Sequence, residues 1–125
     1  MKDNKFYQMN TIKLAYIGDA VFSLFIREHF VKDKDYKNSE LNKKVNAIVK
    51  ATNQAKLMEE FMPALNEWEL DIINRAKNLH FNNKAKNSSM AEYSKATQFE
   101  ALIGFLYLTK QDERLNMFLD KCIKE

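Results

Sequence analysis

Glycine and proline are scarce in this chain, which has 2 Gly and 1 Pro among 125 residues. Tight turns between strands depend on the backbone angles that these two residue types supply. A sheet protein of this length would need more of them. We therefore expect an all-α fold of helices packed around one core, with residues 1–125 forming a single domain.

The composition is that of a chain with a packed core, since 46% of the residues are hydrophobic and 30% are charged. The single Cys122 excludes an internal disulfide framework and a cysteine-based zinc cluster. The first ten residues lack the apolar run of a secretion signal. The longest apolar stretch, Leu14 to Ile26, is shorter than the ~20 residues of a membrane-spanning helix. A cytoplasmic protein is the expectation.

The spacing of apolar residues predicts five to seven helices. The first runs from a cap at Thr11 to about Phe30 and is expected to be the central helix of the fold. A second helix is expected from Ser39 to Phe61, with a break near Thr52–Asn53 and Pro63 at its end, and a further helix starts at Asn66 and Glu69. A surface loop is expected over residues 80–87. After it come a helix from the capping pair Ser89 and Glu92 to about Leu108 and a last helix carrying Leu115 to Ile123.

Two acidic residues stand alone in the two most apolar stretches, Asp19 in LAYIGDAVFSLFI and Glu100 in FEALIGFLYL. An ionised carboxylate in a helix core costs several kcal/mol unless a partner compensates it, and neither stretch has a Lys, Arg or His. The only glycines, Gly18 and Gly104, lie in the same two helices. Glycine within a helix usually marks a close approach to another helix. We infer that the two helices cross closely and bring the two acids together.

Two carboxylates at close range repel each other unless one is protonated or a cation lies between them. Oxygen ligands without Cys or His suit Mg²⁺ or Mn²⁺. Asp19 and Glu100 are therefore the candidate catalytic and metal-binding residues. The alternative is that both acids make structural hydrogen bonds at the edge of the core, and the acids alone leave the two interpretations about equal.

Positive charge is concentrated in residues 72–95, where five basic residues face one acid for a balance of +4, against −1 for the rest of the chain. This segment directly precedes Glu100, so a polyanion lying across it would lead to the acid pair. A solvated surface is the alternative. The candidate residues for binding such a polyanion are Arg75, Lys77, Lys84, Lys86 and Lys95.

The two acidic stretches resemble a known family. Residues 14–21, LAYIGDAV, resemble the signature helix of the ribonuclease III superfamily, and residues 99–108, FEALIGFLYL, resemble its second catalytic helix. The order, separation and chain length are similar to those of Mini-ribonuclease III, which consists of the nuclease domain without a double-stranded-RNA-binding domain. Residues 75–78, RAKN, are similar to a basic run of that form, with Ala76 where it has Gly. The resemblance covers nearly the whole chain.

The larger ribonuclease III enzymes carry two further acids that this sequence lacks. Ala15 stands where they have a Glu four residues before the signature Asp, and Thr97 stands where they have an Asp three residues before the Glu. The mini form also lacks these acids, so the difference indicates the subfamily. Fewer protein ligands imply more water on the metal.

The resemblance implies a Mg²⁺-dependent endoribonuclease, for which Mn²⁺ could substitute, that cleaves double-stranded RNA and leaves 5′-phosphate and 3′-hydroxyl ends. The implied substrate is precursor 23S ribosomal RNA. Cutting both strands needs two sites related by a two-fold axis, which a homodimer provides. Phe22, Phe25 and Ile26 on the first helix are candidates either for that interface or for the core.

Two other classes of function remain open. A helical RNA-binding or ribosome-assembly factor without catalysis would use the acids structurally. An all-helical nucleotide pyrophosphohydrolase would also use carboxylates and Mg²⁺, but such enzymes usually pair acids one turn apart. Neither Asp19 nor Glu100 has an acid one turn away.

Overall fold

The computed structural model describes residues 1–79 and 89–123, and within them the regular structure is entirely helical. The expected loop over residues 80–87 lies outside the described residues. The helices are α1 (Thr11–Asp33), α2 (Asn38–Val49), α3 (Ala51–Phe61), α4 (Glu67–Lys77), α5 (Met90–Leu108) and α6 (Asp112–Cys122), with a short 3₁₀ turn at Met62–Ala64. The all-α prediction, with its five to seven helices, is confirmed for this part of the chain.

Most predicted helix boundaries agree with the structure, and the exceptions have local causes. The Asn10 side chain, rather than that of Thr11, caps α1 by accepting from the backbone N–H of Ile12. Helix α2 begins at Asn38, one residue before the predicted cap Ser39. The expected break near Thr52–Asn53 occurs at Lys50, whose backbone is extended.

The most buried helix is α5, and not α1 as the apolar pattern predicted. Helix α5 packs against α1, α3, α4 and α6 and buries most residues from Ala96 to Leu106. Helix α1 buries one face and exposes apolar side chains on the other, including Tyr16, which is 80% exposed. An apolar pattern all round a helix therefore had two causes here: burial in α5, and a second, uncovered apolar face in α1.

The crossing of α1 and α5 depends on the two glycines. A Cβ added to Gly18 would lie 1.7 Å from the backbone oxygen of Glu100, and one added to Gly104 would lie 1.9 Å from the backbone oxygen of Leu14. These separations are far shorter than any van der Waals contact, so only glycine allows the helix backbones to meet. The predicted close crossing is confirmed, and each glycine lies against the opposite helix.

Helix α6 is joined to the start of α4 by a buried ion pair. Glu69 is completely buried and forms a reciprocal capping box with Asn66, as the sequence indicated. The Arg114 guanidinium donates to both Glu69 carboxylate oxygens and to the backbone oxygen of Ala64. Every oxygen of this buried carboxylate is therefore compensated.

None of the helices described here is both long and apolar enough to cross a membrane.

Candidate active site

The α1–α5 crossing places Asp19 and Glu100 within hydrogen-bonding contact of each other. Both side chains line a cavity of about 380 Å³ at the molecular surface. The residues that line this cavity are Ile12, Ala15, Tyr16, Asp19, Tyr93, Thr97 and Glu100. Asp19 is exposed and Glu100 is partly buried, so the expectation that both acids are buried in the core is wrong for Asp19. The acids are at the rim of the crossing, where a ligand can reach them.

The environment of Glu100 disfavours its ionised form. Burial, together with the hydrogen bond and the charge of Asp19, raises the pKa of its carboxyl to about 8, and a hydrogen bond with Gln54 opposes part of that increase. No Lys, Arg or His in the described residues forms an ion pair with either acid. Glu100 therefore holds its proton at neutral pH unless a cation binds beside it.

The two positions at which the larger ribonuclease III enzymes have further acids face the same cavity. Ala15 and Thr97 both line it and are almost fully buried. The Thr97 hydroxyl donates to the backbone oxygen of Tyr93 one turn earlier in α5. A methyl group and an internally bonded hydroxyl thus stand beside the acids, which leaves space there without adding charge.

The residues at this cavity fit a divalent cation that keeps most of its water. Residues 1–79 and 89–123 contain no group of three or more His, Cys, Asp or Glu side chains at metal-binding separation. The protein would therefore contribute two carboxylates, which are hard oxygen ligands of the kind that Mg²⁺ binds together with several waters. The two neighbouring carboxyl groups form no ion pair with a cation of the described residues, and this is the observation that supports the fit.

The predicted RNA-binding residues are in different surroundings. Lys77 and Lys95 line one groove of about 200 Å³ between α4 and α5. Lys95 also forms an exposed ion pair with Glu59, with 2.6 Å between Nζ and Oε1. Lys84 and Lys86 lie outside the described residues.

Arg75 makes contacts within the protein. Its guanidinium lies 5.0 Å from the ring centre of Tyr7 and donates to the backbone oxygen of Tyr7. Its Nε is 3.5 Å from Asp71, which also accepts from the Tyr7 hydroxyl. Arg75 therefore attaches the N-terminal segment to α4 and has only part of its charge available to a ligand.

The three aromatic and aliphatic residues considered for a dimer interface belong to the core. Phe22 and Ile26 are completely buried, and Phe22 packs edge-on against Phe99 with ring centres 4.9 Å apart. Phe25 is partly buried against the same core. The large apolar residues of α1 that remain exposed are instead Ile12, Tyr16, Leu24 and Val31.

Two features of the site were missed from the sequence. Gln54 of α3 reaches Glu100 although the residues are far apart in the chain, and no local pattern indicates such a contact. Ile12 and Tyr16 line the cavity, and their spacing of four residues from each other and of three from Tyr16 to Asp19 could have placed them on the face of Asp19.

Comparisons of this chain with known proteins agree with the site described above. Residues 12–111 match the family model described as the ribonuclease III domain. The chain is 46% identical to a Mini-ribonuclease 3 of Clostridium tetani over 86% of this chain and 72% of that protein. It is 38% identical to the Mini-ribonuclease 3 of Staphylococcus aureus over 98% and 92%. Among solved structures, a protein from Fusobacterium nucleatum superposes with a TM-score of 0.84 at 32% identity, covering 91% of both chains.

The family match includes both helices of the acid pair, and the matches to relatives extend over most of the chain. The resemblance inferred from the two acidic stretches is therefore confirmed. This chain belongs to the Mini-ribonuclease 3 family of ribonuclease III endoribonucleases.

Proposed function

We propose that the cavity at Asp19 and Glu100 is the active site of a metal-dependent endoribonuclease that cleaves double-stranded RNA into products with 5′-phosphate and 3′-hydroxyl ends. Residues 1–125 would act as one catalytic domain. The observation that carries the proposal is the pair of carboxylates in contact at an open cavity with no cation from the described residues beside them. A structural role would not require two acids to be placed so unfavourably.

Asp19 and Glu100 would hold Mg²⁺, or Mn²⁺ in its place. When bound, this ion supplies activation of water and neutralisation of charge on the phosphate and on the departing 3′ oxygen. Glu100 must give up its proton for the ion to bind, since its pKa is raised to about 8 without one. Asp19 is exposed and faces solvent, so it is the acid that an approaching phosphate meets first.

The groove of Lys77 and Lys95 is the described part of the proposed RNA-binding surface. Ser94 and Gln98, which line it, follow Tyr93 and Thr97 of the acid cavity by one residue each, so the groove is on the adjacent face of α5. Arg75, Lys84 and Lys86 complete the proposed set.

Duplex RNA is bound mainly through phosphates and 2′-hydroxyls, and each lost phosphate contact reduces the salt dependence of binding. Lys77→Gln with Lys95→Gln should weaken duplex binding and reduce its salt slope by about two. An unchanged slope would contradict the assignment of this groove.

A homodimer is the proposed active form, since one site cuts one strand and a two-fold axis provides the second site. The exposed apolar side chains of α1 are the proposed interface, because Ile12, Tyr16, Leu24 and Val31 recur at spacings of four, eight and seven residues along one side of the helix. Leu24→Glu should shift the protein to a monomer in sedimentation equilibrium. Phe25→Ala, at the edge of the core, should leave the mass of the assembly unchanged.

The proposed substrate is the paired end region of precursor 23S ribosomal RNA, and the proposed compartment is the cytoplasm. The resemblance to the family supports both proposals, and the single buried Cys122 is consistent with a reducing compartment.

Incubation of the purified protein with labelled duplex RNA tests the proposed activity. We expect cleavage with Mg²⁺, none with a chelator, and products that a 5′-phosphate-dependent exonuclease degrades. Binding without cleavage under all metal conditions would favour the non-catalytic RNA-binding factor instead. Release of pyrophosphate from nucleoside triphosphates, with duplex RNA intact, would favour the pyrophosphohydrolase.

A further inference from the structure

The described basic residues of the proposed RNA-binding surface differ in whether an acid of the protein is already paired with them. Arg75 lies 3.5 Å from Asp71 on its own helix. Lys77 forms no ion pair within the part of the chain that the structure describes. Lys95, on α5, is paired with an acid of a different helix, Glu59 of α3. A phosphate that approaches Lys95 therefore meets an ammonium group that already has an anionic partner.

The contact between Lys95 and Glu59 is close and open to solvent. The distance from Nζ to Oε1 is 2.6 Å, and the two side chains are 36% and 60% exposed. Exposed ion pairs of this kind are weak. An RNA phosphate presents the same kind of charged oxygen as a carboxylate, so it can take the place of Glu59 on the ammonium group.

The acid reaches Lys95 from the α3 side of the groove. Lys95 and Gln98, three residues apart on α5, line the groove together with Lys77 of α4. Met62, which directly follows α3, lines it as well, and Glu59 is three residues before Met62. Glu59 therefore lies beside the groove, and a phosphate that binds Lys95 there must separate the ion pair.

We propose that Glu59 is a counter-charge that sets the affinity of the groove for RNA: it occupies Lys95 in the free protein, and the duplex binds by displacing it. This proposal rests on the proposed RNA-binding role of the groove. The free energy needed to separate the ion pair opposes binding, and the displaced carboxylate stays near the RNA, where it repels phosphates. Glu59 therefore weakens the binding of RNA, and its removal should strengthen it.

Glu60, the next residue, provides a matched control for the change in net charge. Both acids are exposed and lie on α3. Glu60 lines a different cavity, with Lys56 and Lys121, and forms no ion pair among the residues that the structure describes. Glu59→Gln and Glu60→Gln each remove one negative charge, so a general attraction between a more basic protein and RNA would affect both variants alike.

The experiment measures the dissociation constant of a labelled RNA duplex by fluorescence anisotropy, with chelator present so that the duplex is not cleaved. We expect Glu59→Gln to bind about threefold more tightly than the wild type at about 50 mM salt, which is within the range that exposed ion pairs contribute. Glu60→Gln should leave the dissociation constant nearly unchanged. At about 200 mM salt the gain in Glu59→Gln should shrink, because ions screen exposed charges.

Lys95→Gln shows whether Glu59 acts through Lys95. In the Lys95→Gln background, Glu59→Gln should give a clearly smaller gain in affinity, because there is no ammonium group to release. An equal gain in both backgrounds, an equal gain in Glu60→Gln, or no gain in Glu59→Gln would overturn the role of Glu59.

Failure of the groove itself has a different result. If Lys77→Gln and Lys95→Gln both bind the duplex as tightly as the wild type, the groove is not part of the RNA-binding surface, and both proposals fail. If they weaken binding and Glu59→Gln does not strengthen it, only the role of Glu59 fails.

Discussion

Glu69 and Glu100 are two glutamates of the helical core with opposite surroundings. Glu69 is completely buried and accepts hydrogen bonds from the Arg114 guanidinium and from the backbone N–H of Asn66. Glu100 is less buried, but its neighbour is the carboxylate of Asp19. Depth of burial therefore does not distinguish a structural acid from a functional one. The distinction is whether the protein itself supplies the compensating positive charge.

The free-energy cost of burying the carboxylate is also compensated differently at the two residues. At Glu69 the guanidinium and the capping box satisfy the carboxylate in the folded state, so the ion pair connects α4 and α6. At Glu100 the folded state holds an acid whose pKa is raised to about 8. Such an arrangement is unfavourable without a ligand and becomes favourable when a cation binds, which is the property expected of a metal-dependent active site.

The largest expected effect is on activity, from the same change at both glutamates. Glu100→Gln should lower kcat on duplex RNA about a thousandfold, because loss of the metal ion removes several kcal/mol of charge stabilisation. Glu69→Gln should retain activity within a factor of about three at a temperature where it is folded, and should have a lower melting temperature. Comparable cleavage by Glu100→Gln and the wild type would remove the functional difference between the two acids.

The second prediction concerns the crossing that brings the acids together. Gly18→Ala places a methyl group against the backbone of Glu100 and should destabilise the protein by about 3 kcal/mol, since both helix backbones must move. Ala20→Ser, at an exposed position of the same helix, should change stability by less than about 0.5 kcal/mol. Urea unfolding measures both. If Gly18→Ala were as stable and as active as the wild type, the close crossing would not be required for the site.

The third prediction concerns Arg114, whose guanidinium compensates the buried charge of Glu69. Arg114→Met leaves Glu69 buried without its cation and should cost about 2 kcal/mol, less than for a fully buried pair because the Arg114 side chain is 29% exposed. The double variant with Glu69→Gln should recover part of that loss. Arg27→Met, at an exposed arginine that donates to Ser23, is the matched control and should have little effect. Equal stability of Arg114→Met and the wild type would show that the pair compensates nothing.

The last prediction concerns the pH dependence of stability without metal. The carboxyl of Glu100 has an ordinary pKa of 4.5 and a pKa of about 8 in the folded protein. Between these values the unfolded chain has released the proton and the folded chain retains it, so this group makes the protein less stable as pH rises from 4.5 to 8. Glu100→Gln should therefore have a higher melting temperature than the wild type at pH 8, and a smaller difference at pH 5, in thermal scans with chelator.

Addition of Mg²⁺ at pH 8 should raise the melting temperature of the wild type more than that of Glu100→Gln, because ligand binding to the folded state stabilises it. A difference between the two proteins that does not vary with pH would contradict the raised pKa of Glu100.

Much of the fold follows from local chemistry that is visible in the sequence. Few turn-forming residues and apolar residues at helical spacing indicated a helical chain, and the pairs Asn66–Glu69 and Ser89–Glu92 marked two helix starts at which the cap hydrogen bonds are present. Burial was less predictable. The apolar patterns of α1 and α5 are similar, and which of them lies at the centre depends on how many helices pack around each.

The sequence by itself determined that Asp19 and Glu100 lack local partners and that each shares a helix with one of the two glycines, because these are properties of neighbouring positions on a helix. Only the tertiary structure decided that Gln54 reaches Glu100, that Arg114 compensates Glu69, and that Arg75 contacts Tyr7. Those contacts join residues distant in the chain, and their geometry is set by the packing of whole helices. Local pattern can show that a charge needs a partner, but the fold determines whether it has one.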